Sequence, residues 1–405
     1  MKYFQRALGL LASCLAVSVH ASETPAMSKG EYLTRAADCV ACHVVPGGKP
    51  FAGGLEFKLP FGSLYSPNIT PDKETGIGNW TDDEFVDALQ KGVGKDGKHY
   101  YPAFPYTSYT LMSREDILAI KGYLFSLEPV RQAPPENKLS FPFNQRWGMM
   151  FWNMIFASNE RFVPDPKQSA EWNRGAYLVQ GPGHCGECHT PRNLFQAMST
   201  GRSLAGAELG NWQAYNISSD SQYGIGAWPE EAIVSYLSKG YAAGFGGAGG
   251  PMADAVEHSL RWLDPADLKA IAVYLKSTPA RAEGIARPAM AVNDAALQKG
   301  LGMKLFNDTC VACHRLDGSG RQSPAGGLAG LKTVNDPSGR NLVATLLEGH
   351  TPLASRADQR MPYFARSYSD AELAAVSTFV LRRFGQSNAV IKPEDVAKNR
   401  ASALH

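Results

Sequence analysis

The chain has 405 residues, 44% of them hydrophobic, with 40 lysines and arginines against 38 aspartates and glutamates and a formal charge of +2. That length supports several domains, each with its own core, and excludes one small stapled scaffold. The even charge balance argues against a nucleic-acid-binding protein and against a strong polybasic membrane patch.

Met1-Lys2 and Arg6 precede an apolar stretch from Ala7 to Val19, and Val19-His20-Ala21 has the small-x-small form of a leader-peptidase site. Residues 1–21 therefore read as a signal peptide, with export to the periplasm and Ser22 as the first mature residue. Loss of Lys2 and Arg6 takes the formal charge from +2 to 0. Leu11-Ala12-Ser13-Cys14 also resembles a lipoprotein box, but the apolar run continues through Val19, so an ordinary leader is the reading adopted. Past the leader, the longest apolar stretch, Trp147 to Ala157, is about half of the ~20 residues a spanning helix needs.

Cys14 leaves with the leader, and the remaining six of the seven cysteines form three identical patterns: Cys39-Val40-Ala41-Cys42-His43, Cys185-Gly186-Glu187-Cys188-His189 and Cys310-Val311-Ala312-Cys313-His314. Each matches the haem attachment signature. Two cysteines three apart lie on one side of a helical turn, where both form thioethers to haem vinyl groups, and the adjacent histidine reaches the iron. Disulfides or zinc sites leave the histidine after each pair unexplained. The expectation is three covalently bound haem c groups.

In chain order, Gly30-Glu31-Tyr32-Leu33, Gly175-Ala176-Tyr177-Leu178 and Gly302-Met303-Lys304-Leu305-Phe306 open helices that run into the three motifs. Between the motifs, Asn68-Ile69-Thr70, Asp72, Gly76-Ile77-Gly78 and Trp80 recur as Asn216-Ile217-Ser218, Asp220, Gly224-Ile225-Gly226 and Trp228, at a constant offset of 148. The third unit lacks this segment and is a more distant copy. Each unit closes with a helix: Ser113 with Asp116 and Ser369 with Glu372 read as capping boxes, and Asp264-Pro265 as an N-cap followed by proline. Apolar residues then repeat at helical spacing, as in Ile117, Ile120 and Leu124, or Leu373, Val376 and Val380.

Electron transfer by haem is favoured by six ligands, and methionine opposite histidine raises the potential. Met361, followed by Pro362, is the candidate in the third unit, and Met252, after Gly249-Gly250-Pro251, in the second. In the first unit the comparable position is Phe104, which cannot ligate iron. Met112, directly before the Ser113 cap, is the nearest methionine; His99, a more remote methionine or an open site are the alternatives. Gly244 to Gly250 reads as a loop passing close to the second haem, and His99, His258 and His350 read as structural or solvent-facing.

With these three motifs, Met252 in Gly-Gly-Pro-Met-Ala-Asp and Met361 in Arg-Met-Pro-Tyr-Phe-Ala, the chain resembles the trihaem cytochrome c subunits of bacterial membrane-bound dehydrogenases over nearly its whole mature length. The resemblance implies a mainly α fold of three tandem class I cytochrome c domains at 22–135, 171–282 and 294–387, with linkers at 136–170 and 283–293 and a tail at 388–405. It implies haem held by Cys39, Cys42, Cys185, Cys188, Cys310 and Cys313, with His43, Met112, His189, Met252, His314 and Met361 as axial ligands. It also implies no catalysis by the chain alone. Electrons would come from a dehydrogenase catalytic subunit of flavin, quinoprotein or molybdenum type, of which gluconate 2-dehydrogenase is one, and pass to ubiquinone or a terminal oxidase. The polar end after Phe384 departs from members with a C-terminal membrane helix, so peripheral membrane attachment must come from elsewhere. Phe141 to Phe156 is the candidate surface, although burial as an interdomain linker is the reading favoured for it. A haem enzyme with an open first haem, or a free periplasmic shuttle, are the competing functions.

Overall fold

The computed structural model describes residues 27–286, 300–321, 326–349, 361–385 and 387–402. The leader reading, His350 and most of the second linker lie outside them. The described chain is mainly helical with small antiparallel sheets, and its apolar interior divides into three clusters, one for each attachment motif.

The first unit comprises α1 (Lys29–Ala36), the attachment turn α2 (Cys39–Cys42), strands β1 (Glu56–Leu59) and β2 (Gly62–Tyr65), α3 (Asp82–Lys91), the short α4 (Tyr106–Tyr109) and α5 (Arg114–Ser126). Strand β3 (Lys138–Leu139) adds to β2, and α6 (Gly148–Phe156) follows. The second unit holds α7 (Ala170–Gln180), the turn α8 (Gly186–His189), hairpin β4 (Ala207–Leu209) with β5 (Trp212–Ala214), and α9 (Glu230–Lys239). Then come hairpin β6 (Tyr241–Ala242) with β7 (Gly246–Gly247), α10 (Pro251–His258) and α11 (Pro265–Ser277). The third has α12 (Leu301–Leu305), which passes through a π-helical turn, Phe306–Cys310, into α13 (Val311–His314), then α14 (Lys332–Asn335), α15 (Arg340–Glu348), α16 (Asp370–Phe384) and α17 (Pro393–Ser402).

In each unit the opening helix crosses the closing helix at a glycine. A Cβ on Gly30, Gly175 or Gly302 would run into the backbone carbonyl of Ala119, Ala270 or Ala375 respectively. Glycine is thus required there by a backbone approach closer than any side chain permits. The same crossing in all three units, including the third that lacks the 148-residue repeat, makes it the shared element of the architecture.

Ser369 and Glu372 form the expected capping box. Ser113 accepts from the Asp116 amide, but Asp116 does not reach back; its carboxylate instead accepts the Tyr177 hydroxyl of the second unit. Asp264 makes no side-chain cap, and Thr81 with Glu84 form a reciprocal box that the sequence reading passed over. The segment Phe141 to Phe156 is not a buried linker: Phe141, Trp147, Met154 and Ile155 are each more than 60% exposed, and no residue of α6 is buried. The polar tail ends in α17, whose Val396 is fully buried in the third core. No described helix is long and apolar enough to cross a membrane.

Candidate cofactor attachment sites

Each Cys-x-x-Cys-His motif lies on a short helical turn placed against its unit's core. Cys39 and Val40 pack on the first cluster, Cys185 on the second, and Cys310 and Val311 on the third. In the first two units a residue with positive φ turns the chain out of the opening helix just before the motif: Asp38 at 50° and His184 at 35°. In the third, the π-helical turn does this without a break.

The histidines are held alike. His43 Nδ1 lies 2.7 Å from the Pro67 carbonyl, His189 Nδ1 2.7 Å from that of Tyr215, and His314 Nδ1 2.8 Å from that of Gly326. A carbonyl only accepts, so Nδ1 carries the proton and Nε2 keeps its lone pair for a metal. Burial lowers all three imidazole pKa values, against the backbone hydrogen bonds, and so favours this neutral ligand form.

Pro67 and Tyr215 directly precede Asn68 and Asn216, which explains the repeated segment. The Asn68 Oδ1 accepts the Thr70 amide at 2.9 Å, and its Nδ2 donates to the carbonyls of Val130 at 2.7 Å and Gln132 at 3.1 Å. Asn216 does the same with the Ser218 amide at 2.8 Å and the carbonyls of Arg281 at 2.6 Å and Glu283 at 3.0 Å. Below it, Lys121 donates to the Trp80 carbonyl and Lys276 to that of Trp228, at 2.8 and 2.7 Å. The loop is a brace that carries one carbonyl to each histidine. Sequence reading found the repeat and missed its purpose, because the acceptor is a backbone atom with no side-chain signature.

The structure brings Met252 into the second cluster with Cys185, and Met361 into the third with Cys310. In the first cluster Cys39 is joined by Phe104 at its edge and by Met112, which is wholly buried. The glycines before Met252 pass close to Trp212: a Cβ on Gly249 or Gly250 would meet its indole. His99 pairs through Nδ1 with the Asn153 amide of α6 at 3.0 Å.

Charge and hydrogen bonds join successive sites. Glu187, inside the second motif, accepts the hydroxyls of Thr107 at 2.8 Å and Ser108 at 2.9 Å from α4 and pairs with Arg192. On the same short helix, Tyr109 donates to the Ala37 carbonyl beside the first motif at 2.7 Å, and its ring meets His184 at 5.6 Å. Tyr215, whose carbonyl orients His189, reaches Asp336 of the third unit through its hydroxyl, at 3.2 Å. Asn211 and Trp212 add contacts to Glu348.

The donor set fits covalently bound haem c. None of the six described cysteines is in a disulfide. Burial pushes the Cys39 and Cys185 thiols up to about 12, so both are neutral at physiological pH.

The cytochrome c family model matches residues 27–128 and 301–383. The chain is 36% identical over 406 residues to the fructose dehydrogenase cytochrome subunit of Gluconobacter japonicus, covering 93% of this chain and 83% of that one. It is 38% identical over 400 residues to the gluconate 2-dehydrogenase cytochrome c subunit of Pantoea cypripedii, covering 92% and 89%. It is also 40% identical over 396 residues to a nicotinate dehydrogenase subunit of Pseudomonas putida, covering 94% of this chain but only 33% of that longer protein.

Proposed function

This chain belongs to the family of cytochrome c subunits of bacterial dehydrogenases, and we propose that it is a trihaem relay of three tandem cytochrome c domains serving a separate catalytic subunit. The observation that carries the reading is the threefold arrangement of a Cys-x-x-Cys-His turn with its histidine Nδ1 fixed by a backbone carbonyl. Bound haem supplies one-electron chemistry; the chain itself supplies attachment, orientation and burial. Cys39 and Cys42, Cys185 and Cys188, and Cys310 and Cys313 form the thioethers. His43, His189 and His314 present Nε2 to the iron, and Met252 and Met361 complete the second and third sites. The carbonyl partners keep each imidazole in one tautomer, so no proton need move with the electron.

The second unit contacts both others, through Glu187 on one side and Tyr215 on the other, which supports internal transfer through the middle site. The donor is a dehydrogenase subunit of flavin, quinoprotein or molybdenum type. The acceptor is ubiquinone or a terminal oxidase; relatives include cytochrome c subunits of a quinone-dependent alcohol dehydrogenase. The chain works in the periplasm against the cytoplasmic membrane. Support for peripheral attachment comes from α6, uncharged from Trp147 to Ala157, with the exposed Leu194 and Phe195 of the second unit beside it. Trp152 donates to the Phe195 carbonyl, so the two parts form one apolar ridge of the kind that enters a bilayer interface.

Haem analysis of the exported protein should give three c-type haems per chain, and a copurified dehydrogenase with its substrate should reduce them. Fewer than three haems, or a catalytic activity in the isolated chain, would refute the reading. Flotation with lipid vesicles should be lost in Met154→Ser/Ile155→Ser.

A further inference from the structure

The first unit differs from the second where an axial sulfur is expected. The 148-residue offset carries Met252 back onto Phe104. Its ring lies 5.6 Å from those of Tyr100 and Tyr109 and 6.5 Å from that of Tyr106, in the cluster that also receives Cys39 and Val40.

Met112, the methionine buried in that cluster, already has a structural task. It precedes the Ser113 N-cap and shares the core with Ile117, the fourth residue of α5. Leu263 and Leu268 stand in the same relation around the Asp264 cap, as do Tyr368 and Leu373 around Ser369. This is the hydrophobic staple that sets the entry angle of a helix. Leu263, at the matching place in the second unit, cannot ligate iron, and there the task of ligation falls to Met252. The Met112 carbonyl is further fixed by Gln90 Nε2 at 2.9 Å.

The nearby hydroxyls are engaged too: Tyr106 donates to Asn153 at 2.6 Å and Tyr109 to the Ala37 carbonyl at 2.7 Å. Burial pushes the Tyr100 phenol up to about 12, so it stays neutral and adds no charge to the cluster.

We propose that the first haem has no methionine on its sixth coordination position, and that the aromatic cluster of Phe104, Tyr100 and Tyr109 there leaves that position to a small uncharged diatomic ligand. The inference rests on the haem reading above. A lining of aromatic rings, with Tyr109 buried and Phe104 and Tyr100 half-buried, favours an uncharged ligand over an anion, whose desolvation it would not repay. The missing sulfur also gives the first haem a lower potential than the other two.

The test is carbon monoxide titration of the reduced full-length protein, with haem content measured on the same sample. The wild type should bind about one carbon monoxide per three haems. Phe104→Met should abolish that binding and add a sulfur-to-iron charge-transfer band in the oxidised spectrum. Met112→Leu should leave both the stoichiometry and the oxidised spectrum unchanged. Should Phe104→Met fail to mature, the wild-type titration and Met112→Leu still decide. A haem content below three overturns the cofactor reading. Three haems with no carbon monoxide bound, or loss of a sulfur band in Met112→Leu, overturns this inference alone.

Discussion

The first and second units share their scaffold down to single atoms. Both cross their opening and closing helices at a glycine, both brace a loop with a buried asparagine, and both use that loop to hold a histidine through a carbonyl. They part at Phe104 and Met252, which occupy equivalent places in the repeat and pack against equivalent clusters but differ in chemistry, one aromatic ring against one thioether. The lesson is that the histidine side of each site is built by the common scaffold, whereas the residue at this second position differs while that scaffold stays the same.

Breaking the scaffold should therefore affect both units alike. Gly30→Ala and Gly175→Ala should each destabilise the protein by about 3 kcal/mol, since a methyl group must displace a packed helix backbone. Denaturant unfolding of the two variants checks this, and a large inequality between them would show that the crossings are not equivalent. Asn68→Ala and Asn216→Ala should each cost about 2 kcal/mol, because buried carbonyls lose their donor. Each should also shift the potential of its own haem only, as read by spectroelectrochemical titration.

The junctions between units sharpen the comparison. Thr107→Ala/Ser108→Ala removes the two hydroxyls on Glu187 and should cost about 1 kcal/mol while slowing electron exchange between the first and second haems, measured by flash photolysis. The smallest expected effect is in pH dependence, where the two junctions respond in opposite senses. Burial alone would raise the Asp267 pKa, but hydrogen bonds from Arg174 and from Tyr32 of the first unit hold it below its ordinary value of 3.8. A depressed carboxyl stabilises above its unfolded pKa, so this contact weakens as the pH falls below about 4. Glu348 at the second-to-third junction is raised above 4.5, by burial first, although Asn211 and Trp212 donate to it. A raised carboxyl contributes its stability below the unfolded pKa and loses it as the pH climbs through the folded one. Hydrogen exchange of the two interfaces between pH 3 and 6 should show the first tightening and the second loosening with rising pH, and Asp267→Asn and Glu348→Gln should each flatten one trend.

Much of the site was legible because its chemistry is local. A cysteine pair with an adjacent histidine spans five residues, and its meaning depends on covalent reach, which short spacing controls. The brace was visible only as a repeat, since what it delivers is a carbonyl from Pro67 or Tyr215. The opening glycines were read as helix positions, and their role became clear only against Ala119, Ala270 and Ala375, some 70 to 95 residues away. Ser113 with Asp116 looked like a full capping box, but only the Ser113 half forms, because Asp116 accepts Tyr177 from the next unit, a partner that no local pattern encodes.

What the amino-acid order determined by itself is the cofactor, the three attachment turns and the kinship of the first two units, all consequences of spacing within a few residues or of exact repetition. Tertiary structure alone decided that Phe141 to Phe156 faces outward, that Met112 is buried in one core with Ile117 of α5, and that Glu187 and Tyr215 link the middle unit to its neighbours. Burial and partnership depend on which distant segments fold against a residue, so the same apolar or polar side chain reads differently until those segments are in place.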